Sequence, residues 1–390
     1  MFGKVSIMSN SISVEYSIKK VTDLNEFEKL RAAWDKLASN QGAYMPFLCF
    51  DWFKLWLDHF LKDNRLLILL LYKGSEIVAI APFLLLRERF KLITAKKIEL
   101  IGNVYSPVRN FIFNDLSIEE KKICLSKIFD YLFYDLGDWD VIDLMPFLED
   151  DENLIILHNI IQEKNYQNSG EVYDENWYMN GINHSSDEYF KNKQSSKHLI
   201  SMIKRRKKLE ELGKLEYKVI NSDEDIERYM DYYYEVYGRS WKKKEGIGPT
   251  FHRHLGRFAG NRGWLRIAFL FLNNFPIATQ FCIVSNKTGY FLKVAYDEKY
   301  KEYGVGNIIH YESIKYMIDH DSIESIDLGA GSEDYKKFWV SDKRQMMRVI
   351  LFNDSFKGNL LALFNNRILP TFNKYKLLRG IKEIFANRLQ

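Results

Sequence analysis

Residues 301–307 read Lys301-Glu302-Tyr303-Gly304-Val305-Gly306-Asn307, a basic residue followed by two glycines one position apart at the mouth of a helical pattern. Glycines at that spacing let the backbone turn tightly. The first N–H groups of the helix that follows have no intrahelical acceptor, and with the helix dipole they make a site for phosphate or pyrophosphate. Two nucleotide loops are excluded: no Gly-Lys-Ser/Thr follows as in a Walker A loop, and no third glycine stands where a dinucleotide fingerprint needs one. Further on, the run Asp327-Leu328-Gly329-Ala330-Gly331 ends a strand pattern in a glycine turn that delivers Tyr335 and Lys336 to the edge of a sheet.

These residues need strands to hold them. Residues 265–272 and 276–284, separated by Asn273-Asn274, predict a β-hairpin. Residues 289–296 predict a third strand and 307–318 carry helical spacing, so the order is three strands, glycine loop, helix. A second hairpin is predicted at 65–72 and 77–86 around Lys73-Gly74-Ser75-Glu76. In both hairpins a polar turn precedes an apolar residue and an alanine, Ala79 and Ala278, and the ending Asp143-Leu144 of the strand 139–144 returns as Asp327-Leu328. The echoes indicate an internal duplication with a period of about half the chain. No basic-x-x-Gly-x-Gly loop follows the first copy, where 98–103 leads into Ser106-Pro107-Val108-Arg109-Asn110. Only the C-terminal half is therefore expected to cradle a phosphate.

Around these lie a strand at 14–18, helical patterns at 24–38, 121–133, 154–164, 224–237 and 250–259, an aromatic-dense segment at 46–56 and a short strand at 176–180. Helix 194–213 contains Lys204-Arg205-Arg206-Lys207-Lys208. Three readings of it stand: a solvated linker between the halves, a basic surface for an anionic donor or acceptor, and a nucleic-acid or targeting patch. Without interleaved aromatics the last is the weakest.

A chain of 390 residues accommodates about two domains. A formal charge of only +4 argues for no nucleic-acid partner. Cys49, Cys124 and Cys282 are too far apart for a metal-ligand pattern and odd in number, so neither a disulfide framework nor a metal site is expected. No signal-like start and no apolar run of membrane-spanning length occurs, which predicts a soluble, cytoplasmic protein. The segment 356–390 is amphipathic and basic, suited to an anionic membrane surface at the inner face or to packing on the body.

Taken together, the basic-x-x-Gly-x-Gly loop, the hairpin with its Ile-Ala, the strand ending Ala295-Tyr296-Asp297 and the closing Asp-Leu-Gly-x-Gly-x-x-x-Tyr-Lys-x-x-Trp resemble the CelD-like acetyltransferases of the GNAT superfamily, relatives of the FemAB aminoacyltransferases. The likeness runs over about 14–354 and is strongest in the C-terminal half. It departs from the family at Lys301, where Gln or Arg is usual. The resemblance implies an α/β (α+β) fold of two tandem GNAT-like domains, each a mixed, mostly antiparallel twisted sheet flanked by helices, plus the basic helical tail. The expected boundaries are 1–180 for a domain without a phosphate loop, 181–214 for a linker helix region, 215–355 for the acyl-CoA domain and 356–390 for the tail.

It also implies a function: transfer of an acyl group, acetyl above all, from acetyl-CoA or another acyl-CoA to an amine or hydroxyl of a polysaccharide or lipid-linked envelope precursor, with no metal. On that reading Lys301, Tyr303, Gly304, Val305, Gly306 and Asn307 hold the donor, while Lys293, Val294 and Ala295 offer a backbone N–H to the thioester oxygen. Tyr335 stands where the superfamily keeps a tyrosine acid for the leaving thiol, and Asp297, His310 and Glu312 are the candidates for the base. Gln280, Trp241, Asp327 and Lys336 are expected on the acceptor side. Two alternatives remain: a FemAB-like transferase using aminoacyl-tRNA, against which the shortness of helix 194–213 argues, and a non-catalytic envelope-assembly protein.

Overall fold

Leu66, Ile68 and Leu70 pack into one core cluster while Leu67, Leu69 and Leu71 pack into another. Successive side chains of a strand face opposite ways, so an unbroken apolar run means a sheet covered on both faces. A computed structural model of the chain describes residues 15–42, 45–91, 93–191, 196–242, 250–331 and 335–368. Position 14 of the first expected strand, positions 194–195 of the polar helix and positions 369–390 of the tail lie outside the described residues.

In the first half the elements are β1 (Tyr16–Val21), α1 (Leu24–Glu28), α2 (Arg31–Ala38), α3 (Met45–Leu48), α4 (Phe50–Phe60), β2 (Arg65–Lys73), β3 (Glu76–Phe90), β4 (Ile93–Leu100), β5 (Ile112–Phe113), α5 (Ile118–Asp130), β6 (Val141–Leu148), α6 (Glu152–Lys164) and β7 (Asn168–Asn180). The second half has α7 (Ser186–Lys191), α8 (Lys197–Glu210), β8 (Leu215–Ile220), α9 (Ile226–Gly238), α10 (Thr250–Asn261), β9 (Leu265–Leu272), β10 (Phe275–Ser285), β11 (Thr288–Tyr296), α11 (Val305–Asp321), β12 (Ser325–Ala330), α12 (Lys336–Trp339), β13 (Asp342–Phe352) and α13 (Phe356–Leu363). Both expected hairpins form. The second turns on Asn273 and Asn274, both at positive φ, the geometry that suits the twist of the flanking strands.

All thirteen strands join one mixed sheet, ordered β1-β2-β3-β4-β6-β13-β7-β12-β11-β10-β9-β8 with β5 beside β3. The neighbours β4/β6 and β11/β12 are parallel and the rest antiparallel. The two halves repeat the same series, and they interlock at the centre. β13, from the end of the second half, lies between β6 and β7 of the first, while β7 reaches across to β12. No element is expected from sequence at 342–352, and β7 is much longer than the expected strand at 176–180. Its polar sequence gives no alternation to read; ten register pairs with β13 hold it.

One face of the sheet has a core shared between halves, built on α2 to α4 from the first and on α9 and α10 from the second. Phe60 meets Phe251 at 5.0 Å and Phe47 meets Tyr290 edge-on at 4.8 Å. Asp51 accepts hydrogen bonds from Arg31 and, across the halves, from Arg262 at 2.6 Å. The other face carries two separate cores, under α5 and α6 and under α7, α8 and α11. Among the described residues no helix is long and apolar enough to cross a membrane.

Candidate active site

The two parallel strands β11 and β12 pair only over Thr288–Tyr290 and Ser325–Asp327. Past that point β11 runs on to Tyr296 and β12 to Ala330 without pairing to each other, so the sheet parts. A cavity of about 400 Å³ occupies the gap. Leu292, Lys293 and Val294 form one wall and Asp327 to Ala330 the other. Phe251 and His252 of α10 approach from one face, and His310 of α11 with Tyr335 and Lys336 from the opposite face. The first half closes the cavity with residues 103–109.

A bulge shapes the β11 wall. Register against β10 jumps from Phe281–Lys293 to Cys282–Phe291, so Leu292 faces no β10 residue. A bulge of this kind bends the strand and re-aims its groups. The β11 edge from Phe291 onward, turned toward the gap, is therefore unpaired on the β12 side. Leu292 is absent from the residues the sequence singles out, because a bulge depends on the partner strand.

His310 is 4% exposed and sits between Phe291, at 4.5 Å between rings, and Trp339, at 4.9 Å. Its Nδ1 lies 3.3 Å from Gln280 Oε1, and Gln280 Nε2 donates to the Lys293 carbonyl at 2.9 Å. An amide oxygen only accepts, so Nδ1 carries the proton and Nε2 keeps its lone pair. Nε2 is buried with no hydrogen-bond partner among the described residues. Burial, helped by the Lys336 ammonium, pushes the imidazole down to about 3, so the ring is neutral at pH 7.

Asp327 supplies a carboxylate to the same cavity. Its Oδ1 accepts from the Gly329 N–H at 2.7 Å and from Asn176 Nδ2 at 2.9 Å. Oδ2 has Arg344 Nη2 at 3.7 Å and accepts no hydrogen bond among the described residues. Burial raises this carboxyl above the usual carboxylate range, against the pull of those donors and of Arg344 and Lys336. The Lys336 ammonium turns to the glycine turn and donates to the Ala330 carbonyl at 2.5 Å. Tyr335 stands at 39% exposure, its ring 6.2 Å from that of His310.

The glycine loop is formed as the sequence predicts. Gly304 adopts φ 65° as the N-cap of α11. A Cβ at Gly306 would lie 2.9 Å from the Tyr296 ring, so only glycine fits without a shift. Tyr296 in turn packs on the half-exposed Trp241 at 4.5 Å. Lys301 is exposed and its carbonyl accepts the Gly304 N–H at 2.9 Å, Tyr303 is half-buried and Val305 buried, and the Asn307 N–H donates to the Gly304 carbonyl at 2.9 Å. Helix α8, which holds the basic cluster, packs beside this loop: a Cβ at Gly304 would lie 3.5 Å from Arg205 Nη1. Arg206 pairs with Glu312 of α11 and pins α8 there.

Of the expected site residues, Gln280, Lys293, Val294, His310, Asp327, Tyr335 and Lys336 line one cavity. Ala295 and Trp241 are outside its lining, and so are two of the three base candidates. Asp297 caps the turn before α11, accepting from the Lys299 N–H at 2.9 Å and pairing with Arg239 at 2.8 Å. Glu312 is held by Arg206. Each carboxylate is engaged by an arginine distant in sequence, which no local pattern displays. Arg109 and Asn176 also line the site without having been singled out, and Arg205 stands beside the loop as one member of the basic cluster 204–208.

Residues 196–337 match the family model described as "Acetyltransferase (GNAT) domain", a span that holds β11, the glycine loop and β12. Three solved structures share the fold over most of their length and most of this chain. L-PGS from Bacillus licheniformis aligns with TM-score 0.53 and 10% identity, covering 88% of this chain and 96% of that one. The C-terminal domain of a putative lysylphosphatidylglycerol synthetase from Agrobacterium fabrum gives 0.52 and 8%, covering 87% and 97%. FemX gives 0.51 and 9%, covering 85% and 96%. No curated protein matches the chain. The fold is thus of the GNAT acyltransferase type, with two GNAT-like halves in one sheet.

Proposed function

We propose that the protein is a CelD-like acyltransferase that moves an acyl group, acetyl above all, from a CoA thioester to an amine or hydroxyl of a polysaccharide or envelope precursor. The observation that supports this most is the parting of β11 from β12, with a cavity between them and the Gly304–Gly306 helix start reached through the short helical segment Glu298–Tyr303 that follows β11. CoA supplies the activated acyl group. Its pyrophosphate would be met by the N–H groups at the start of α11 that have no intrahelical acceptor, where Arg205 adds a cation beside Gly304. Of the three readings of the basic helix, a surface for an anionic donor agrees best with that position.

The unpaired edge of β11 after the Leu292 bulge can offer a backbone N–H to the thioester carbonyl oxygen as charge builds on it. One such donor is worth about 3 kcal/mol of barrier. Asp327 Oδ2 is the oxygen best suited to take the acceptor's proton, since burial raises its carboxyl above the ordinary value and this oxygen accepts no hydrogen bond among the described residues. His310 is too weak a base for that task; its neutral Nε2 can accept a hydrogen bond and orient the nucleophile. Tyr335, across the cavity, is the proton donor for the departing thiolate.

Thermal unfolding with and without acetyl-CoA or CoA tests the donor. At about 100 times its dissociation constant a bound ligand adds roughly 2.7 kcal/mol. A shift in the native chain that disappears in folded Gly304→Glu supports the reading, and no shift with either ligand sinks it.

A further inference from the structure

Arg109 is 7% exposed, yet its buried Nε has no hydrogen-bond partner and no carboxylate lies within ion-pair distance of its guanidinium among the described residues. It lines the same cavity as His310 and Asp327, from the wall supplied by the first half. Its path is built into the backbone: a Cβ at Gly102 would lie 2.7 Å from Arg109 Cδ and Nε, so the absence of a side chain there lets the arginine lie flat.

The carboxylates in its electrostatic neighbourhood, Glu99 and Asp143, are engaged elsewhere. Glu99 pairs with Lys97, and Asp143 takes a two-pronged hydrogen bond from Arg348, at 2.7 and 2.6 Å, with Lys97 at 3.5 Å. A buried guanidinium left without a partner is costly, and a planar fork of donors matches a carboxylate or phosphate. The cavity's charge agrees in sign, since among the described residues Arg109, Lys242, Lys293 and Lys336 face only Asp174 and Asp327.

We propose that Arg109 binds an oxyanion, carboxylate or phosphate, carried by the acceptor, so that the first half recognises the acceptor while the second half carries out the transfer. The word acceptor rests on the acyltransfer reading; the oxyanion site does not. Because the arginine comes from the half that lacks a phosphate loop, the duplicated half has a task distinct from donor binding. The acceptor then spans the two halves, with its nucleophile near Asp327 and its anionic group at residues 103–109.

The test uses the full chain and two variants, Arg109→Met and Arg109→Lys, each titrated with inorganic phosphate and with acetate at constant ionic strength while thermal unfolding is followed. Saturable stabilisation of the native chain by at least one anion is expected, weakened tenfold or more in Arg109→Met and less in Arg109→Lys. The anion that binds more tightly identifies the group as phosphate or carboxylate. In the absence of anions Arg109→Met should melt no lower than the native chain. The proposal is overturned if neither anion binds saturably, if Arg109→Met binds as well as the native chain, or if that variant melts markedly lower, which would make Arg109 a structural counter-charge. The acetyl-CoA titration is separate, and its failure would sink the donor reading while leaving the difference between native and Arg109→Met unaffected.

Discussion

Replacing His310 with glutamine should remove a large part of the protein's acid sensitivity. The imidazole is buried and pushed down to about 3, whereas an exposed imidazole titrates near 6.5. Between those values the unfolded chain binds a proton that the native chain refuses, so stability falls as pH drops below 6.5 and the loss is complete only below pH 3. From pH 7 to pH 5 the group alone costs about 2 kcal/mol, and over the whole window about 5 kcal/mol, at about 1.4 kcal/mol per unit. The glutamine side chain of His310→Gln would keep an amide donor for Gln280 Oε1 but has nothing to titrate. Urea unfolding followed by tryptophan fluorescence at pH 7, 6 and 5 gives the difference between variant and native chain, which cancels every other titrating group. That difference should move by about 2 kcal/mol in favour of His310→Gln on going from pH 7 to pH 5. A difference that stays constant would refute the reasoning, because it would mean that native His310 takes up its proton as readily as in the unfolded chain.

Gly306→Ala places a methyl group against the Tyr296 ring at 2.9 Å. It should lose about 1–3 kcal/mol by overpacking, measured as a lower urea midpoint, together with weaker acetyl-CoA binding. Arg348→Met strips Asp143, 2% exposed, of its two-pronged partner and should cost about 3–5 kcal/mol in urea unfolding, with Arg348→Met/Asp143→Leu recovering most of it. Arg205→Gln alters an exposed residue, so stability should hold within about 0.5 kcal/mol. Acetyl-CoA affinity, read by calorimetry, should nevertheless fall severalfold; an unchanged affinity would return α8 to the reading of a solvated helix.

What the sequence makes legible here is what depends on neighbours along the chain. Gly304 and Gly306 announce a helix start because the conformations they adopt are local, and Asn273-Asn274 announces its hairpin for the same reason. The repeated hairpins and Asp-Leu endings reveal two halves. The crossing of β13 into the first half is hidden, since it is decided by pairing with β6 and β7, some two hundred residues away in sequence. A strand such as β7, polar along most of its length, carries no period to detect. Site chemistry follows the same division. His310, Tyr335, Asp327 and Lys336 are visible by residue type beside a recognisable loop, and the fold gathers them. Asp297 and Glu312 look equally suited until Arg239 and Arg206 are seen to hold them, and Arg109 has no sequence signal because its isolation depends on where Lys97 and Arg348 send the nearby carboxylates.

The central claim is that a CoA thioester lies in the gap between β11 and β12 with its pyrophosphate on the start of α11. Backbone hydrogen exchange of the native chain, with and without saturating acetyl-CoA, tests it most directly. Slowed exchange is predicted in two stretches, residues 304–308 and the unpaired edge 291–296 of β11, with strands β4 and β6 of the first half unchanged. Binding that leaves both stretches unprotected, or that protects β4 and β6 instead, would contradict the account.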